Sequence, residues 1–271
     1  MKVIKVSVCL LITLYATSVR AEIKLTPYFS NDSVNGVQVS DAYETHNMGV
    51  RINYYEAFYS LDLGIVSPDM HIYKNQYRVA NRSFAEIITL TAGQNLETSN
   101  QTDISYYFQL KSSGSYGIDK MQDFMHRLLT LQPVNEINNL VRMPDQQWIG
   151  IGGSAVITKE DFGITVDSVG VDGYLGSDKM QFSVYGSNIH DYKGVEMSSE
   201  FGIDTVIFDK IVSAPPISAA HRYIIPYFEV GLSFKKNGFN WFVKDKFTLP
   251  TIKSDNGLFA VLSAGVSFSL D

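Results

Sequence analysis

The stretch from Leu262 to Leu270 constrains the fold more than any other. It is apolar at Leu262, Ala264, Val266, Phe268 and Leu270, and small or polar at Ser263, Gly265, Ser267 and Ser269. Successive side chains of a strand point to opposite faces, so this period of two describes a β-strand with one apolar and one polar side. A soluble sheet seldom sets bulky apolar residues against Ser and Gly for so long. A membrane barrel does, with lipid outside and a polar lumen within.

The N-terminus points to export. Lys2 and Lys5 precede an apolar run from Val6 to Tyr15, and Val19-Arg20-Ala21 offers a signal-peptidase site before Glu22. The run is too short to span a bilayer as a helix. We therefore expect residues 1–21 to be a signal peptide and residues 22–271 to form one barrel domain. The only cysteine, Cys9, falls inside the leader. The mature chain then has no thiol for a disulfide, a metal or nucleophilic catalysis.

Composition agrees. Aromatic residues make up 13% and charged residues 18% of the chain, less charge than the roughly 25% of soluble domains. Barrel strands are only ~10 residues long and half polar, so they leave no long apolar window. A net charge of −6 gives no reason to expect a nucleic-acid partner.

Period-two segments begin near Ile23, Asn47, Phe58, Phe84, Asp103, Gln146, Asp161, Lys179, Phe201, Ile224, Phe239 and Gly257. Those at Phe84 and Phe201 are ambiguous. The expected fold is all-β: a closed antiparallel transmembrane β-barrel of about twelve strands, in the bacterial outer membrane and monomeric. Ten or fourteen strands remain open, since bacterial barrels keep an even number. Trp148 and Trp241 fit the aromatic girdles at the membrane interfaces.

Three intervals break the pattern. Residues 31–45 and 67–82 read as polar loops, the second with basic residues. Asp119 to Gln132 has helical spacing instead, with Met121, Phe124, Met125, Leu128 and Leu129 on one face. It predicts a short helix after the fifth strand. Gln122 and His126 stand four apart, side by side on such a helix. The same stripe also fits a helix that packs on the rim with His126 merely solvated.

Four pieces in order carry a resemblance: Asn31-Asp32 in the first mature strand, Ser67-Pro68 after the third, Asn81-Arg82-Ser83-Phe84-Ala85 opening the fourth, and Gln122-x-x-x-His126-Arg127 after the fifth. Together they resemble the outer-membrane lipid A 3′-O-deacylase family, over the mature chain to about Trp148. The resemblance implies a twelve-stranded barrel whose active site lies between the lumen and the outer leaflet. It implies hydrolysis of the ester that holds an acyloxyacyl group at the 3′ position of lipid A, so that lipopolysaccharide and outer-membrane lipids are the partners. It implies His126 as general base, Asn31 and Asp32 beside the reacting ester, and Gln122 orienting His126. It also implies calcium, with Asp32 as the natural hard-oxygen ligand.

The residues allow that chemistry. The chain lacks a Gly-x-Ser-x-Gly elbow as well as a mature cysteine, so a histidine-activated water is the simplest route to ester hydrolysis. Two positions depart from the family pattern. Gln132 stands where an acidic residue is expected six places after the histidine. Asn47 stands where a hydroxyl residue is expected before Gly49, although Thr45 can replace it if the loop is longer. Lys74 and Arg78 are candidates for the lipid A phosphates, while Arg82 suits pairing with barrel carboxylates. His46 is a loop residue near Asn47. His71, His190 and His221 have no metal-ligand spacing. The expected substrate-binding set is Asn47, Thr45, Lys74, Arg78 and Gln132. A barrel of the same family with lost or altered activity, and a small passive pore, remain alternatives.

Overall fold

The computed structural model of the protein describes residues 23–31, 46–66, 70–72, 78–80, 83–98, 101–120, 124, 142–158, 166–214, 220–249 and 259–270. Its strands are β1 (Ile23–Asn31), β2 (His46–Tyr54), β3 (Ala57–Val66), β4 (Met70–Ile72), β5 (Arg78–Ala80), β6 (Ala85–Thr98), β7 (Thr102–Gly114), β8 (Gln146–Thr158), β9 (Ser168–Gly176), β10 (Lys179–Tyr192), β11 (Val195–Asp209), β12 (Ile224–Lys236), β13 (Phe239–Thr248) and β14 (Phe259–Leu270). Twelve of these form one closed antiparallel barrel, in the order β1-β14-β13-β12-β11-β10-β9-β8-β7-β6-β3-β2. Pairing of β1 with β14, from Ile23 opposite Leu270 to Asn31 opposite Leu262, seals the wall. Closure leaves no open sheet edge, which is what lets strands cross a bilayer with every backbone group paired.

Alternation assigns the two faces. Leu61, Leu90, Phe108, Ile151, Val184, Ile203, Leu232 and Val243 point outward and are exposed. Ser60, Asp62, Thr91, Gln109, Ser154, Asp172 and Ser183 point into the lumen and line its cavities. The luminal side chains bond to one another: Ser105 to Ser154 at 2.7 Å, Tyr227 to Glu200 at 2.8 Å and Ser183 to Asp204 at 2.7 Å. Tyrosines crossing this space need room from their register neighbours. A Cβ on Gly152 would meet the Tyr107 ring, and one on Gly170 the Tyr185 ring.

The two ends differ. At one, the connections are 55–56, 99–101, 159–167, 193–194 and 237–238, all but one of them tight; Lys193-Gly194 and Asn237-Gly238 have positive φ at both residues, the mirror-image turn that matches strand twist. At the other, connections span 32–45, 67–84, 115–145, 210–223 and 249–258, and only the β9–β10 turn at 177–178 is short. Barrels of this class keep short turns on the periplasmic side and long loops outside, so the second end is the outer one.

The β11–β12 connection crosses the outer mouth. Asp209 Oδ1 accepts from Ile211 N at 3.0 Å and Val212 N at 3.1 Å, tightening the turn. Ile211 and Ala214 then join Val66, Ala85, Ile87, Met143 and Trp148 in a buried apolar cluster. In strand order β11 stands opposite β3. The cluster therefore bridges the mouth from one wall to the other.

Several expectations change. Trp148 is not a girdle residue: it faces the lumen beside Lys111 and is 4% exposed within the mouth cluster. Trp241 does face outward, at 45% exposed. The strand expected from Asp161 starts at Ser168, because Phe162, Ile164 and Val166 are out of phase with Val169, Val171 and Leu175, which form its outward face. The strand expected from Phe201 starts at Val195. The polar run Ser198-Ser199-Glu200 hides its alternation, although Met197, Ser199 and Phe201 share one side. Within the loop expected at 67–82, β4 and β5 pair as a separate hairpin.

Candidate functional site

The outer rim carries a carboxylate on the wrong side of the wall. Glu86 is in phase with Ile88, Leu90 and Ala92, hence on the lipid-facing side of β6, yet its side chain is fully buried. A buried charge is tolerated only when its partners are complete. Tyr116 N and Ile118 N donate to Glu86 Oε2 at 2.8 and 3.0 Å, and Arg142 Nη1 donates to Oε1 at 2.9 Å. Arg142 also reaches the Gly114 carbonyl at 3.1 Å and Asp119 Oδ2 at 3.2 Å. Its guanidinium lies over the Phe84 ring, 4.9 Å from the centroid.

These bonds bring the chain after β7 down over the exterior of the barrel. Residues 118–120 are helical, and Phe124 again has helical backbone, as the spacing after the fifth barrel strand predicts. Ile118 packs on Ile65 and Phe84, with Leu63 alongside. Leu61, Leu63 and Ile65 are the outward residues of β3, so the start of the helix rests on the outside of β3 and β6.

Register links this dock to the first hairpin. Asn31 pairs with His46, His46 with Ile65, Ile65 with Glu86, and Glu86 with Gly114. Three interstrand steps of ~4.8 Å separate Asn31 from Glu86, about 14 Å along the rim.

On the luminal side lies a cavity of 290 Å³ under the mouth cluster, lined among others by Asn47, Asp62, Gln109, Lys111 and Ile211. Asn47 Oδ1 and Asp62 Oδ1 are buried there without a hydrogen-bond partner among the described residues, while Asp62 Oδ2 accepts from Ser60 at 3.0 Å. Lys111 is held by Asp178, Nζ to Oδ2 at 2.7 Å, and Tyr174 donates to the other Asp178 oxygen at 2.8 Å.

Of the residues predicted for the site, Asp32, Thr45, Lys74, Gln122, His126 and Gln132 lie outside the described residues, as do Arg82 and the expected leader 1–21. Asn31 ends β1 opposite His46, and Arg78 opens β5 opposite Ile72. Asn47 is placed in the lumen, opposite Ser30 and Gly64 and one register step from Asn31. Asn47 and the helix dock are thus on opposite sides of the wall. Sequence reasoning missed Glu86 and Arg142. The signal was present: Glu86 interrupts an otherwise apolar phase, where an acid must find partners or be lost.

Among the described residues, no group of three or more His, Cys, Asp or Glu is placed to hold a metal ion. Asn47 and Asp62 offer two orphaned oxygens where calcium takes six to eight. The described side chains do not fit a calcium site, and the expectation rests on Asp32 alone.

No protein-family model matches the sequence, and no curated protein does. Among solved structures, the chain is similar to LpxR from Salmonella typhimurium, with a TM-score of 0.72 at 10% identity, over 90% of this chain and 99% of that one. KdgM porin follows at a TM-score of 0.47 and 9% identity, over 92% of this chain and 99% of that one, and NanC porin at 0.48 and 9%, over 92% and 100%. At such identities likeness speaks for architecture alone: the protein is a twelve-stranded barrel of outer-membrane type, similar in fold to LpxR.

Proposed function

We propose that the protein is a monomeric outer-membrane ester hydrolase that releases the 3′ acyloxyacyl group of lipid A. In this reading His126, as neutral imidazole, takes a proton from a water molecule, and the water oxygen attacks the ester carbonyl. The Asn31 amide donates to the tetrahedral oxyanion. Collapse expels the sugar oxygen, to which the imidazolium returns its proton. Gln122 orients His126, and Asp32 lies beside the ester. Lys74 and Arg78 meet the phosphates, while Thr45 and Gln132 border the substrate; Asn47, on the luminal side, has no part in it. Calcium, if bound, would take Asp32 as a ligand and would supply Lewis-acid charge to the site.

The observation that carries this reading is the docking of the segment before Gln122 and His126 on the outer wall. Eight residues of helix beyond Ile118 rise ~12 Å, comparable with the ~14 Å of rim between Glu86 and Asn31. A helix of that length, begun at the turn docked on β3 and β6, is long enough to span from β6 to the first hairpin. The apolar cluster of Ile211, Trp148 and their neighbours across the mouth argues against a passive pore.

The test is to express the chain, from Met1, in a host of known lipid A, with and without calcium, and to weigh the lipid A by mass spectrometry. The expected result is loss of the mass of the 3′ acyloxyacyl group. Unaltered lipid A in both conditions, from cells with folded barrel in the outer membrane, rules out the hydrolase and leaves the inactive barrel.

A further inference from the structure

Glu86 has the attributes of a built anchor. It is a carboxylate on the lipid-facing phase of a strand, with no exposure, whose oxygens are spent on two backbone N–H groups and one guanidinium. Both N–H groups belong to the turn that opens the loop helix, and Arg142, where the chain returns toward β8, is tied to the same carboxylate. Arg142 further holds Asp119, inside the first helical turn, and Gly114, the last residue of β7. Both ends of a long connection are thereby fixed to one point on the wall. A connection with no job at a defined place does not require a buried charge there, since an apolar contact such as Ile118 on Ile65 and Phe84 holds a loop at lower desolvation cost.

We propose that Glu86 is a positioning residue: from the outside of β6 it fixes, through Tyr116, Ile118 and Arg142, the helical turn that leads into Gln122 and His126. The proposal rests on the hydrolase reading given above. Glu86 touches neither substrate nor water in it. Its effect is on the placement of the imidazole, and a misplacement of about 1 Å can cost on the order of 10²-fold in rate. The expected signature is a loss in kcat with KM little changed, because lipid A still meets the same outer surface. Glu86→Gln keeps an acceptor for the two backbone donors and loses the charge that Arg142 needs. It is therefore the milder variant.

Phe124 offers a probe that does not depend on activity. It is helical and 63% exposed, and the only native cysteine, Cys9, lies in the predicted leader. A nitroxide on Phe124→Cys then reports the helix alone. The experiment compares the label's mobility, the kinetics on lipid A and the heat-shifted gel mobility of the folded barrel for Glu86, Glu86→Gln and Glu86→Ala. The proposal expects folded barrels, a label that loosens from wild type through Gln to Ala, and a kcat that falls in the same order by up to about 10²-fold. A label equally fixed in Glu86→Gln and Glu86→Ala overturns it, as does a loosened label with undiminished turnover. Should Glu86→Ala not fold, Glu86→Gln alone decides, by the same two readouts. A folded wild type that leaves lipid A intact overturns the hydrolase reading, and this proposal with it. An active wild type with indifferent Glu86 variants overturns the proposal alone.

Discussion

Ser83 Oγ donates a hydrogen bond to the Ala214 carbonyl at 2.8 Å, joining residues 131 apart in sequence. One precedes β6 and the other follows β11, on nearly opposite sides of the barrel. With Ile211 and Trp148 packed beside it, this bond marks where the β11–β12 connection seats across the mouth.

A charge placed in that apolar seat should unseat the connection. Ile211→Asp puts a carboxylate among Val66, Ile87 and Trp148, where the Lys111 of the cavity beneath is already held by Asp178, which is unfavourable by several kcal/mol. Wild-type protein in planar bilayers is expected to conduct little, and Ile211→Asp to show larger, noisier currents. Equal conductance in the two would mean that the seat does not obstruct the lumen.

Trp148→Ala should destabilise the barrel by about 3–5 kcal/mol, the usual cost of emptying a large buried aromatic site. Urea unfolding in detergent, followed by circular dichroism, measures it. A girdle tryptophan such as Trp241 should cost less on the same replacement, since it is half exposed already.

His126→Ala should leave a folded barrel whose lipid A deacylation falls by about 10²- to 10⁴-fold, the range of general-base contributions. Mass spectrometry of lipid A from cells expressing each form provides the comparison. Unchanged deacylation would remove His126 from the base role.

Gly170 and Tyr185 should be energetically coupled. Gly170→Ala forces its new methyl onto the Tyr185 ring and should cost about 1–3 kcal/mol as overpacking. In Tyr185→Ala the same change should cost almost nothing, giving a coupling energy of that size in a double-mutant cycle. Additive effects would show that the ring moves aside freely.

The outward face should reject charge where the lumen accepts change. Ile151→Arg, on a lipid-facing position of β8, should destabilise by about 2–4 kcal/mol if it sits near the bilayer midplane. Ser154→Ala, inward on the same strand and bonded to Ser105, should cost about 1 kcal/mol. Unfolding into urea from liposomes ranks the pair.

Strand count and most strand starts were legible because a lipid-exposed wall forces strict alternation. Ile224 to Phe234 and Tyr59 to Ile65 show it without a break. Legibility failed where the wall is not facing lipid. Trp148 reads as an interface anchor because its sequence neighbours do not reveal that Ile211, from a distant loop, packs in the same buried cluster. The hairpin of β4 and β5 is too short for a period to register. Glu86 shows the converse: its place in an apolar phase was readable, but its meaning came only with Tyr116, Ile118 and Arg142, 30 to 56 residues away.

The first helical turn after β7 rests on the exterior of β3 and β6, and the mouth is bridged by side chains. A molecule meeting that helix from the wall side does not thread the cylinder; it arrives sideways, by two-dimensional diffusion within the leaflet. Its encounter rate is then governed by the mole fraction of that lipid in the membrane and by local fluidity, with its solubility in water of no account.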